Sequence, residues 1–358
     1  MGCDGRSEAV REHARRGELA ISEGKYQEAF VAFRHGRELD PQDASLQRGV
    51  MRARAYAIAE QPDRVAADVL DDARYEAQLL ADTDKAHLSV YLTALGNLAA
   101  RSGDFEGARG KLEDAVKADP KEPLAHTALG LVLGTRKEYG PRAKAEIDAA
   151  LAIKPDHLPA LLAKGQIELL DGDLPGASSH LEAALKVRED VTARLLLGEV
   201  RLRQQRPAEA AEQFQRAASI DPKNADAMGR LGQVLLSLGR AEEAERALRA
   251  AAQLRNDTPT LNALGFALMR QKKSAEALGL FGQTLEREGS SAEALYGAAL
   301  ASEELGRADQ AIGLYRKLLA IPGQGDSALA GMKKDAEARA TNLAAAQSAS
   351  AAVPARKP

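Results

Sequence analysis

Residues 91–120 read YLTALGNLAARSGDFEGARGKLEDAVKADP, and this stretch decides the fold. Leu92, Leu95 and Ala99 recur at three- and four-residue steps in its first half, and Ala108, Leu112 and Ala115 do so in its second. That spacing places each set on one face of an α-helix. Between the halves, Gly103 tolerates a positive φ and Asp104 caps the second helix, so the spacing predicts a tight turn joining two antiparallel helices. Gly96 and Ala108 remove side-chain bulk where the helices cross. Pro120 has no N–H with which to continue the second helix and stops it.

Outward from this stretch the pattern repeats. Leu-Gly pairs stand at 95–96, 129–130, 197–198, 231–232 and 264–265, and Gly17 and Gly165 keep phase without the leucine. From Gly96 onward the steps are 34, 35, 33, 34 and 33 residues. Twelve residues after the glycine comes Ala29, Ala108, Ala177, Ala210, Ala244 or Ala277, and twelve further on Pro41, Pro120 or Pro222. The unit at Gly130 reaches Ala143 and Pro155 after a one-residue insertion. Alanine makes up 72 of 358 residues, far too few for chance to fill six of seven matched positions. One helix pair cannot cover its own apolar faces, so neighbouring pairs must stack.

In period and in the order of small residues and proline, these residues resemble the tetratricopeptide repeat (TPR) family. The resemblance implies an all-α fold, an α-solenoid coiled into a right-handed superhelix of about nine helix-turn-helix units. Units are expected near 10–43, 89–122, 123–157, 158–190, 191–224, 225–257, 258–291 and 292–325, with Ala299 replacing the glycine in the last. Residues 1–9 precede the array. Segment 44–88 is one degenerate unit, with helices expected at 46–60 and 64–81 around Pro62-Asp63 and no Gly-Ala pair at their crossing. Residues 326–345 read as a capping helix with an N-cap from Asp326 or Ser327, and 346–358 as a low-complexity tail.

The resemblance also implies a concave face lined by the first helix of each pair, at positions three before and one, four and five after the glycine. Those positions hold Thr93, Asn97, Ala100 and Arg101, then Thr127, Leu131, Gly134 and Thr135. The next two sets are Leu162, Gln166, Leu169 and Leu170, and Leu195, Glu199, Leu202 and Arg203. Asn97, Leu131, Leu162, Gln166, Leu169, Leu170, Leu195 and Glu199 are therefore the expected ligand groove, although the leucines also suit ordinary packing between repeats. Family members that clamp C-terminal carboxylates use a Lys and Asn four apart, then a Lys and Arg two repeats later. Thr93 and Asn97, then Leu162 and Gln166, occupy those places here, so the resemblance stops short of that clamp.

Chemistry is not written into the remaining residues. The six histidines form no H-E-x-x-H pair, and neither a G-x-S-x-G elbow nor a phosphate-binding G-x-x-x-x-G-K-[ST] loop occurs. The run Gly323 to Ala328 imitates a dinucleotide fingerprint but follows a helix, not a strand. Neither enzymatic activity nor a cofactor or metal is expected. Forty-nine Lys plus Arg against 52 Asp plus Glu leave no basic excess for nucleic acid. No run of about 18 apolar residues provides a transmembrane segment.

A noncatalytic scaffold binding a partner peptide or helix is the leading expectation. The dipeptide Gly2-Cys3 matches the end of a bacterial lipobox, which adds a second: lipid attachment at Cys3 and a membrane-anchored periplasmic lipoprotein of polysaccharide export or envelope assembly. A cytoplasmic protein, and a regulatory domain partnered with a separate enzyme, are the alternatives.

Overall fold

The computed structural model describes residues 3–60, 70–322 and 327–351, and every regular element among them is a helix. The chain divides into two compact units, Met1–Arg188 and Glu189–Pro358, each an α-solenoid stack of antiparallel helix pairs. The first contains α1 (Cys3–Ser22), α2 (Tyr26–Leu39), α3 (Ala44–Glu60), α4 (Leu70–Thr83), α5 (Leu88–Arg101), α6 (Phe105–Ala118), α7 (Pro123–Gly134), α8 (Gly140–Ile153), α9 (Leu158–Asp171) and α10 (Leu174–Val187). The second contains α11 (Val191–Arg203), α12 (Pro207–Ile220), α13 (Ala225–Ser237), α14 (Ala241–Leu254), α15 (Thr258–Arg270), α16 (Ser274–Arg287), α17 (Ala292–Glu304), α18 (Ala308–Ala320) and α19 (Ser327–Ala351).

Each feature of the repeat has a structural task. Gly103 and Gly172 turn the chain with φ of 79° and 85°, and Asp104 and Asp173 then cap α6 and α10 by accepting from the amides of Gly107 and Gly176 at 2.9 and 3.0 Å. Where the turn glycine is missing, Gln205 and Lys272 take up the left-handed conformation themselves, at φ 58° and 62°. Helices α2, α6, α8 and α12 all end two residues before a proline, on an extended residue, because a residue preceding proline is barred from the helical region.

The core follows a rule that the glycine-alanine spacing does not display. Sixteen residues after the small residue of each first helix, or seventeen where the insertion falls, the second helix drives one large side chain into the crossing. Gly17 receives Phe33, Gly96 Leu112, Gly130 Ile147, Gly165 Leu181, Gly198 Phe214, Gly232 Leu248 and Gly265 Phe281. All seven large side chains are buried, and Tyr315 holds the same place opposite Ala299. A methyl group added at Gly96 would come within 2.5 Å of Leu112, an overpacking that costs about 1–3 kcal/mol. Phe33 is pinched twice, by Gly17 and by Gly49 of the next pair, and Phe281 likewise by Gly265 and Gly297.

The degenerate pair closes with alanine in place of glycine. Ala55 and Ala59 of α3 share a buried cluster with Ala73 and Ala77 of α4. Four boundaries differ from expectation, the first being that α4 ends at Thr83, two residues past 81. Helix α1 starts at Cys3, not near residue 10, because nothing between Arg6 and Arg16 breaks a helix. Helix α3 gains two residues at its start, and α19 continues to Ala351. Pro62-Asp63, the first six residues of the expected 64–81 helix, Gly323–Asp326 and 352–358 lie outside the described residues.

Candidate functional site

In the first unit the expected groove positions separate into two kinds. Leu131 and Leu170 are open to solvent, 47% and 71% exposed, Gln166 is exposed and Leu162 half-buried. Leu169 and Asn97 are not groove residues. Leu169 is 4% exposed and belongs to the core, whereas Leu170, a 100° step further round α9, faces out. Asn97 is buried, and its amide donates to the carbonyls of Ile58 and Ala59 at 3.2 and 2.9 Å. Those carbonyls belong to the last turn of α3, where helix geometry leaves acceptors without internal partners. Thr93 and Thr127 are buried as well, each bonded back to a carbonyl of its own helix.

Leu195 and Glu199 belong to the second unit. Leu195 is half-buried against the core, and Glu199 holds Arg230 at 3.0 Å and Arg203 at 3.6 Å. The conspicuous feature of this unit lies further along, on α15, α17 and α19, which line a cavity of about 820 Å³. Phe266, Met269 and Leu300, all partly exposed, supply its apolar surface. Phe266 is held edge-on against buried Phe281, with ring centroids 5.1 Å apart. Arg270, Lys272, Glu303, Glu304 and Arg339 add charge around it.

A network fixes the α19 side of the cavity. Arg339 binds Asp335 at 2.6 Å and Glu303 at 3.2 Å, and Tyr296 and Tyr315 donate their hydroxyls to Asp335 and Glu303 at 2.7 and 2.8 Å. Burial, then the bond to Asp335, pushes the Tyr296 hydroxyl up to about 12, so it remains a donor at any physiological pH. The result is a preformed, one-sided apolar hollow of the size that binding sites occupy.

Sequence profiles described as the tetratricopeptide repeat match residues 93–157, 162–225 and 262–328, with a related one over 201–264. The chain belongs to the tetratricopeptide-repeat family. The human mitochondrial import receptor subunit TOM70 is 29% identical over 167 residues, 42% of this chain and 28% of the receptor, so the chain matches under a third of that relative's length. Among solved structures, the APC/C hetero-tetramer Cut9–Hcn1 is similar at TM-score 0.57 and 16% identity, over 81% of this chain and 54% of that one. PilF of Pseudomonas aeruginosa is similar at TM-score 0.51 and 21% identity, over 63% of this chain and 96% of that one. Both share the fold.

The family's offsets also account for the cavity. Phe266, Met269 and Arg270 lie one, four and five residues after Gly265. Tyr296 lies three before Ala299, with Leu300, Glu303 and Glu304 one, four and five after it. The offsets that point to Leu131 and Leu162 would have found these residues had they been carried to the last two repeats of this TPR chain. A smaller cavity of about 320 Å³ in the first unit lies beside Tyr26, Glu60, Glu122, Lys154, His157 and Arg188. Burial, then Lys154, pushes His157 down to about 4, and its Nε2 has no hydrogen-bond partner among the described residues. The side chain of Cys3 lies outside the described residues. Among the described residues no helix is long and apolar enough to cross a membrane.

Proposed function

We propose that this TPR chain is a noncatalytic scaffold that binds a partner peptide or helix, and that the second unit's cavity between α15, α17 and α19 is its main contact. The observation that carries this reading is the partly exposed trio Phe266, Met269 and Leu300 on first helices, set in a hollow already shaped by the Tyr296–Asp335–Arg339 network. An apolar side chain entering there meets aromatic and aliphatic surface without displacing any core group, as helix-in-groove recognition requires. The family supports protein binding in general. The exposed Leu131 and Leu170 of the first unit are secondary contacts in this reading.

The test is selection of short randomised peptides on the full chain. Recovered peptides should bind Leu300→Glu and Met269→Glu at least about tenfold more weakly, as loss of a buried anchor implies, with unchanged circular-dichroism melts. Equal binding to both variants would refute the site. For location we propose a lipid attachment point at Cys3, on the strength of the Gly2-Cys3 dipeptide alone. An unmodified Cys3 in the native gene product would remove that proposal.

A further inference from the structure

The charges around the 820 Å³ cavity are unequally satisfied. Arg339 is shared between Asp335 and Glu303, Glu303 also accepts from Tyr315, and Glu304 takes Lys272 at 3.4 Å and the Ser274 hydroxyl at 2.5 Å. Arg270 is different. It stands exposed in the last turn of α15, directly after Met269, and has no hydrogen-bond or ion-pair partner among the described residues. It also borders a neighbouring cavity of about 390 Å³, but there Glu243 is already held by Arg240 at 2.6 Å and Glu242 makes no ion pair with it.

We propose that the cavity takes a peptide segment carrying a bulky apolar side chain and an acidic side chain on one face. The apolar group rests on Phe266, Met269 and Leu300, and the carboxylate pairs with Arg270. This deepens the scaffold reading and depends on it. Charge complementarity selects the occupant. The open valence beside the apolar surface is a planar guanidinium, which meets a carboxylate with two parallel bonds. A basic segment would instead have to take Glu303 or Glu304 from its present partners. An acidic side chain fits better than a chain end, because a chain end brings adjacent backbone groups and no Asn or Gln lines the cavity to receive them.

The experiment selects short randomised peptides on the full chain and discards those that still bind Leu300→Glu. Survivors should pair an apolar with an acidic residue, and the same selection on Arg270→Glu should replace the acid with Lys or Arg. An amidated synthetic survivor should lose roughly tenfold in affinity when its acid becomes the amide, and as much against Arg270→Gln. Arg270 is exposed at a helix end, so both variants should keep the parent melting curve. Survivors without acidic preference, survivors that need a free terminal carboxylate, or unchanged binding to Arg270→Gln would each overturn the charge rule while leaving the scaffold reading intact. If no peptide survives the Leu300→Glu filter, both fall.

Discussion

The two units are built from the same repeat, yet their first-helix faces differ. In the first unit the inward offsets are largely consumed by structure: Asn97 bonds to α3, Thr93 and Thr127 bond to their own helices, and Leu169 packs inside, which leaves Leu131 and Leu170 as separate exposed leucines. In the second unit the same offsets assemble Phe266, Met269 and Leu300 around one hollow, and Arg270, without a partner among the described residues, stands beside them. A repeat therefore dictates which positions face a surface. Whether that surface becomes a site depends on what the neighbouring pair needs for its own packing.

The largest expected effect tests this division within one helix turn. Leu169→Glu buries a carboxylate among core side chains and should destabilise the first unit by more than about 3 kcal/mol in a urea titration. Leu170→Glu changes a 71% exposed side chain and should stay within about 0.5 kcal/mol of the parent. Comparable losses at both positions would mean that the face of α9 is covered.

Acid should separate the units next. His157, an ordinary imidazole when unfolded, titrates near 4 when folded, so unfolding takes up a proton between those two values. Its contribution is complete above about pH 6.5 and is lost as pH falls toward 4, at no more than about 1.4 kcal/mol per pH unit and up to about 3 kcal/mol in all. Burial opposes the charge of Glu245 in the second unit, yet hydrogen bonds from Lys273, Arg249 and Gln271 hold its carboxyl down to about 2. Its contribution is complete above about pH 4.5 and is lost as pH falls toward 2. His157→Asn should therefore flatten the acid dependence between pH 6.5 and 4, and Glu245→Gln the part below about pH 4.5. A His157→Asn curve parallel to the parent would show that the imidazole is solvated.

Much of the fold was legible because glycine, alanine and proline act at fixed points of a helix pair. The degenerate pair was harder, since α3 and α4 cross on alanines, and alanine is too common in this chain to mark a position. The large residue opposite each glycine was hidden by its chemistry: Phe, Leu and Ile all serve, so no single letter repeats. At the site, the offsets identified facing positions but could not show that Asn97 owed its amide to the carbonyls of a distant helix. Nor could they choose between Leu169 and Leu170, which differ only in helical rotation.

The smallest effect concerns the turns. The first unit turns on Gly24, Gly103 and Gly172, while the second places Gln205 and Lys272 at the equivalent point of two of its repeats, with φ of 58° and 62°. A side chain in that conformation costs roughly 1 kcal/mol through the clash of Cβ with the backbone. Glycine removes the clash but loses more chain entropy on folding, which takes back about 0.4–1 kcal/mol. Gln205→Gly should therefore raise stability by a few tenths of a kcal/mol, at most about 0.6. Gly172→Gln should lower it by a similar or larger amount, since it adds strain where φ is 85°. Paired thermal melts decide the matter. Gln205 is the better position because Lys272 also borders the cavity, and a melting point lowered by Gln205→Gly would mean that the glutamine side chain contributes more to its turn than the strain removes.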